Sequence, residues 1–465
     1  MKKAGIAGGA LIAMLALIYI VCTKKVDTTP YFESGYFKAS CARADSLDKI
    51  TFPLKDSLYA GFAKVNITPR LLSNEDNIVE DKFKAVPLAG YGDRKGKPST
   101  GVHDSIFVKA VALKSGVRTI IFVGADLLIM PPNISDSVSR LLSVNGIRRE
   151  QLFFSATHSH SSLGGWGSGY IGELFAGKEN KNLEKWLVIQ IAKAVNQAIS
   201  DLQPASAGSG SFNAGIYTRN RLIGESGTKN DDFSFICIEQ PGKKKAIIGS
   251  FSAHATTLGD ENMEISADYP GYWERSIEKS TAFLALFCAG SVGSQSPVSS
   301  GAEFEKSRFI GEALADSLNI HLKNVIMNHK AVFSALSLKM SLPEYNMRIT
   351  TKLNLTSFLS RKLMACPENV YLQAARIDNM IWITTPSDFS GEYALQIKNA
   401  LAVKGFKANI TSFNGNYVGY IIPGRYYYMN EYESKLMGWF GPNMGEYTVD
   451  MIGRIVKIIT KNENN

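Results

Sequence analysis

The sequence predicts a layered α/β protein, with mixed β-sheets flanked by helices in a single domain and a membrane helix at the N-terminus. Three observations lead there. Strand-like apolar runs alternate with amphipathic helical stretches along the 465 residues, which is the pattern of a layered α/β domain. The hydrophobic fraction is 45% and the charged fraction 20%, enough to build a buried core. The chain also opens with "MKKAGIAGGALIAMLALIYIVCTKK", whose uncharged run from Ala4 to Cys22 lies between lysine pairs.

At 1.5 Å rise per residue that run spans a hydrocarbon layer of roughly 30 Å. It is long for the apolar stretch of a secretory signal, and no A-x-A site closes it. We read an uncleaved signal-anchor over 1–25, a polar linker over 26–58 and a folded domain over 59–463. Lysines at both ends leave the orientation undecided by charge.

Within the folded region each element has a local reason. "VKAVALKSGVRTIIFVGADLLIM" alternates and then becomes continuously apolar, which predicts a hairpin ending in a buried strand. "ISDSVSRLLSVNG" has helical spacing and stops at glycine. "QLFFSATHSH" is a short apolar strand that breaks into polar residues, and "NLEKWLVIQIAKAVNQAISDL" is a long amphipathic helix. The alternation recurs: a hairpin turning at "PGKKK", a helix in "YPGYWERSIEKS", a strand in "TAFLALFCAG" and a helix in "FEKSRFIGEALADSLNIHLKNV". A further strand, turn, strand and helix follow over 370–405. No internal repeat is visible in the residues.

The net charge is +9, but the basic residues are scattered without aromatic interleaving, which argues against nucleic acid as a partner. The five cysteines (Cys22, Cys41, Cys237, Cys288, Cys366) show no CxxC spacing, so a zinc ribbon or redox motif is excluded. Cys237 and Cys288 read as buried small hydrophobes, and the count allows one disulfide, for example Cys41 to Cys366.

With only six histidines in the chain, "SATHSHSSLGG" places His158 and His160 two apart. They follow one strand, His254 follows another, Ser296 lies in a small-residue loop after a third, and Asp388 follows a fourth. Ligands of layered α/β sheets bind beyond the carboxyl ends of strands, so these four clusters are expected to converge. Neutral imidazoles and a carboxylate suit zinc with an open position, and strand histidines at i and i+2 would share a face. Asp126, at the end of a buried strand, reads as a loop-capping group. His103, His321 and His329 carry no motif.

The same segments resemble the neutral/alkaline ceramidases. "SATHSHSSLGG" is similar to the THTHSGPGG motif of that family, "FSAHATTL" to the segment with its second zinc histidine, and "CAGSVGSQSP" to its N-x-G-D-x-S-P serine segment. "TPSDFSGEYA" resembles the PGEFT segment, and "VGYIIPGRYYYMNEYES" the stretch with two tyrosines twelve apart, here Tyr420 and Tyr432. "GYGDRKGKPSTGVHDSIFVKAVAL" matches an early glycine-rich segment, and "YTRNRL" stands where an N-R-S motif binds substrate.

The resemblance implies zinc held by His158, His254, Asp388 and Tyr420, with Ser296 and His160 catalytic and Arg221 and Tyr432 binding substrate. Three departures stand out: aspartate replaces the family's glutamate, Ser291 and Ser294 replace Asn and Asp, and Arg219 competes with Arg221. Glu392 is the alternative carboxylate.

The implied activity is hydrolysis of the amide of ceramide or a related N-acyl lipid, by an enzyme anchored in the membrane with its domain on the extracytoplasmic side. The alternatives are a zinc hydrolase of another small amide or ester, and a catalytically silent binding protein of the same fold. Oligomeric state is not legible.

Overall fold

The structure, a computed structural model, describes residue 19 and residues 21–461. The run read as a membrane anchor therefore lies almost wholly outside the described residues. Among those described, no helix is long and apolar enough to cross a membrane.

Helix α1 (Gly35–Asp48) corrects one expectation. The segment read as a linker is folded: the Ser34 side chain caps α1, accepting from the Phe37 N–H, and the helix packs on the strand Lys330–Met340 and the C-terminal helix. Its hydrophobic periodicity is too weak to reveal it, since only Ser40 and Ala44 are buried. Aromatic rings do the docking instead, with Tyr31, Tyr36 and Phe37 all against Tyr447.

The rest is built three times over. The first unit is β1 (Leu54–Asn66), β2 (Phe107–Ser115), β3 (Arg118–Ala125), α2 (Pro132–Ser143), β4 (Leu152–Ala156), the short α3 (Gly169–Ala176) and α4 (Lys181–Ser200). The second is β5 (Gln203–Asn213), β6 (Asp232–Glu239), β7 (Lys245–Phe251), α5 (Asp268–Ser280), β8 (Leu284–Ala289) and α6 (Phe304–His321). The third is β9 (Lys330–Met340), the short α7 (Ser357–Leu363), β10 (Val370–Ile377), β11 (Met380–Thr384), α8 (Gly391–Ala402), β12 (Lys407–Thr411) and α9 (Met444–Ile459).

In every unit the first three strands are antiparallel neighbours and the fourth lies parallel to the third. This topological repeat is absent from the residues because each unit buries different side chains behind the same connections.

Strand β1 joins the units. Leu54–Ser57 pair with β9, Leu58–Ala60 with β5, and Leu58–Asn66 with β2. Three sheet wings thus diverge from one strand, and their inner faces meet in a core made by strands alone, including Phe122, Phe153, Ile248, Leu286 and Trp382. Burying that surface is the main favourable term for the assembly. Each outer face is covered by helices: α2 and α4 on the first wing, α5 and α6 on the second, α1, α8 and α9 on the third.

The parallel pairs β3/β4, β7/β8 and β11/β12 bring three sets of carboxyl ends together. All five cysteines are free, so the Cys41–Cys366 disulfide is not formed, while Cys237 and Cys288 are buried as expected.

Candidate metal centre

Each wing sends one donor into a common point. His158 stands two residues beyond β4, His254 three beyond β7, and Asp388 four beyond β11. The two histidines of "THSH" are not within a strand, as the i, i+2 argument assumed. The backbone turns left-handed at His158 (φ 64°), a sparsely populated conformation for a non-glycine residue. The rings nevertheless converge, with the His158 and His160 Nε2 atoms 3.3 Å apart.

Phe413, just past β12, is left-handed too (φ 66°), and its ring stacks on His158 at 4.4 Å. Gly90, from the glycine-rich segment, makes room for His160: at its φ of 120° a Cβ would fall 2.7 Å from the His160 Cγ.

The proton positions follow from the partners. His158 Nδ1 is 2.7 Å from the Leu128 carbonyl, and His254 Nδ1 is 2.9 Å from the Gln295 carbonyl. A carbonyl can only accept, so each Nδ1 carries the hydrogen and each Nε2 of the neutral ring presents a lone pair. Burial keeps the rings neutral. It pushes His158 down to about 3 and holds His160 and His254 well below the usual histidine range.

Asp388 Oδ1 lies 3.5 Å from His158 Nε2 and 3.4 Å from His254 Nε2, and Tyr420 Oη lies 3.1 Å from His254 Nε2. Donors bound to one zinc at about 2 Å stand roughly 3.3 Å from each other, so these spacings fit such an ion. Asp388 is buried, its Oδ1 has no hydrogen-bond partner, and burial pushes its carboxyl up to about 7. An orphaned carboxylate oxygen facing imidazole lone pairs is costly unless a cation joins them. Buried His158 and His254 and partly buried His160 form a group able to hold a metal ion.

Around this group stand residues that sequence reasoning did not single out. Tyr417 Oη donates to the other oxygen of Asp388 at 2.7 Å. Glu433 accepts from Arg221 Nε at 2.7 Å, and Arg221 Nη2 donates to Tyr420 Oη at 2.9 Å. Buried Arg94 donates to the carbonyls of His160 and Gly259, tying the "THSH" loop to the loop after His254. Tyr417 and Glu433 sit beside motif residues, one before Val418 and one after Tyr432, but neither has a spacing of its own that could reveal it.

Arg219 and Arg221 are placed differently. Arg221 reaches the centre, whereas exposed Arg219 donates its Nε–H to Ser296 Oγ at 3.2 Å. Ser296 is half-buried beside Gln295, the residue whose carbonyl fixes His254. Tyr432, half-exposed on a π-helical turn, packs edge-on against Tyr420 at 5.7 Å.

Glu392 points elsewhere, pairing with Arg425. Asp126 caps its loop, accepting from the Phe107 N–H at 2.7 Å. His103 stacks on Phe304 and His321 on Phe212, both away from the centre.

Residues 81–221 match the family model described as neutral/alkaline non-lysosomal ceramidase, N-terminal. That span carries His158, His160 and Arg221. A curated neutral ceramidase of Pseudomonas aeruginosa is 26% identical over 258 residues, covering 49% of this chain and 38% of that protein. Two solved structures share the fold over 88% of this chain. The neutral ceramidase from Pseudomonas aeruginosa has a TM-score of 0.71 at 18% identity and is 76% covered. A ceramidase complexed with C2 has a TM-score of 0.73 at 16% identity and is 77% covered. Over residues 81–221 the sequence is thus similar to the neutral/alkaline non-lysosomal ceramidases, and over most of its length the chain shares the fold of the solved neutral ceramidase.

Proposed function

We propose that this chain is a zinc-dependent amidohydrolase that cleaves the amide bond of ceramide or a related N-acyl lipid, releasing a fatty acid and a sphingoid base. The observation that carries the reading is the unpartnered, buried Asp388 Oδ1 within 3.5 Å of two imidazole nitrogens whose lone pairs face it. His158, His254, Asp388 and Tyr420 would hold the zinc. Bound there, zinc would polarise the scissile carbonyl and lower the pKa of a coordinated water.

The chain's own groups supply the remainder. Arg221 stays charged between Glu433 and Tyr420 and offers N–H donors to the negative charge that develops on the carbonyl oxygen. His160 is neutral, and its buried Nδ1 has no partner, so it can take a proton from water and pass it to the leaving amine. The Ser296 hydroxyl would act as nucleophile or as the group that positions the amide, and it stands one residue from Gln295, whose carbonyl fixes His254. Tyr432 at the rim would bind the substrate.

The N-terminal run would anchor the enzyme with this domain on the extracytoplasmic side. Two related names support the lipid amide: the curated relative is a neutral ceramidase, and a structural neighbour is a ceramidase complexed with C2.

The test pairs zinc stoichiometry with hydrolysis of a fluorescent N-acyl-sphingosine. One zinc per chain with turnover supports the proposal. Zinc with no turnover of any N-acyl lipid points to a hydrolase of another amide or ester, or to a silent binding protein.

A further inference from the structure

The uncharged run ends against the rim of the candidate site. Thr23–Lys25 pair antiparallel with Leu353–Leu355, and the Thr356 N–H donates to the Cys22 carbonyl at 3.0 Å. Helix α7 starts at the next residue. Its C-terminal end meets the start of α3 so closely that a Cβ on Gly169 would lie 2.8 Å from the Leu363 carbonyl oxygen. At the far end of α3, Phe175 packs on Tyr432, and Tyr432 packs on Tyr420. A bridge of two short helices, each about 10–12 Å long, therefore links the end of the run to the mouth of the site.

The outer face of this bridge is aromatic and basic. Phe358 on α7 is 69% exposed and Tyr170 on α3 is 68% exposed. Arg361 and Lys362 on α7 are exposed, with Lys25 and Lys352 beside its start, and Glu173 is the one carboxylate in the two helices. Aromatic rings with a flanking basic fringe are the composition of a bilayer interface. Beneath the bridge lies a cavity of about 380 Å³, walled by Ile129, Trp166 and Tyr417, with Asp136, Glu179 and Glu368 adding carboxylates. Tyr417 is the residue bonded to Asp388.

We propose that the face carrying α3 and α7 rests on an anionic lipid leaflet, the one the N-terminal run enters, so that the site's mouth opens toward lipid at the membrane surface. The inference rests on the lipid-amide reading above. The opposite end of the molecule makes the contrast. Val117, 95% exposed in the β2–β3 turn, lies at the amino end of β3, about 26 Å by strand length from the end that leads to the site.

The test uses the full chain in phosphatidylcholine–phosphatidylglycerol vesicles with brominated acyl chains, carrying a fluorescent amino acid at position 170, 358 or 117. Quenching at 170 and 358 but not at 117 is expected. Quenching at 117 as strong as at 358, or none at 170 and 358, overturns the proposal.

A second arm combines Tyr170→Asp with Phe358→Asp. Expected is a fall of about tenfold in kcat/KM toward vesicle-borne N-acyl-sphingosine, with a soluble short-chain N-acyl-sphingosine hydrolysed within about twofold of the parent rate. Equal losses on both substrates overturn the docking face. If the parent chain hydrolyses neither substrate, the lipid-amide reading fails, while the quenching pattern still decides which face meets the membrane.

Discussion

The donor cluster and the rim of the site are built differently. His158, His254 and Asp388 are buried at strand ends, and each is fixed by a second group: the Leu128 carbonyl, the Gln295 carbonyl and the Tyr417 hydroxyl. Ser296 and Arg219 lie opposite each other in a short antiparallel strand pair, Tyr432 stands on a π-helical turn, and all three keep contact with solvent. The difference separates what must be rigid from what can vary. A metal-sized gap needs donors held to a fraction of an ångström, whereas substrate contacts at a solvent-facing rim can change without unmaking the centre.

The most severe way to break the comparison is Asp388→Asn, which keeps the shape and removes the charge. Metal content measured by mass spectrometry is expected to fall from one per chain to near zero, and turnover by on the order of a thousandfold. Retention of full zinc would remove Asp388 from the donor set.

On the rim, Ser296→Ala is expected to leave zinc unchanged and to cut turnover about a hundredfold. The Ser294 hydroxyl accepts from the Gly391 N–H at 3.1 Å, at the start of α8. Ser294→Ala should therefore cost about 1 kcal/mol of stability in a denaturant titration and little activity. Matching losses in the two variants would make the loop structural.

The support behind the donors is tested by Tyr417→Phe. Competition with a chelator should reveal zinc affinity weakened by about tenfold, with the fold intact in circular dichroism. Glu433→Gln and Arg219→Ala sharpen the rim. Glu433 holds Arg221 through a charge-assisted hydrogen bond, so its loss should lower kcat/KM by about fivefold. Exposed Arg219 should matter by about twofold or less. The reverse ranking would return the substrate-binding role to Arg219.

Much of the fold is legible locally. The helices α2, α4, α5, α6 and α8 follow from periodicity, because each buries one face, and the hairpins β2–β3, β6–β7 and β10–β11 follow from short apolar runs buried on both faces. Weak patterns hide α1, whose docking rings precede or open the helix, and β5, a run of Gly, Ser and Ala whose packing neighbours lie far along the chain.

By itself the sequence determined the alternation of elements, the strand-end positions of His158, His254 and Asp388, and the motif order that includes Ser296, Tyr420 and Tyr432. Each rests on residue type and short spacing, which a chain carries whether or not it is folded. Only the tertiary structure decided that β1 joins three wings of one topology, that Arg221 rather than Arg219 reaches the centre, and that Tyr417, Glu433 and two backbone carbonyls hold the donors. Those contacts join residues as far apart as 212 positions, as between Arg221 and Glu433. A hydrogen bond to a backbone carbonyl leaves no mark on the identity of the residue that supplies it, because every residue has one.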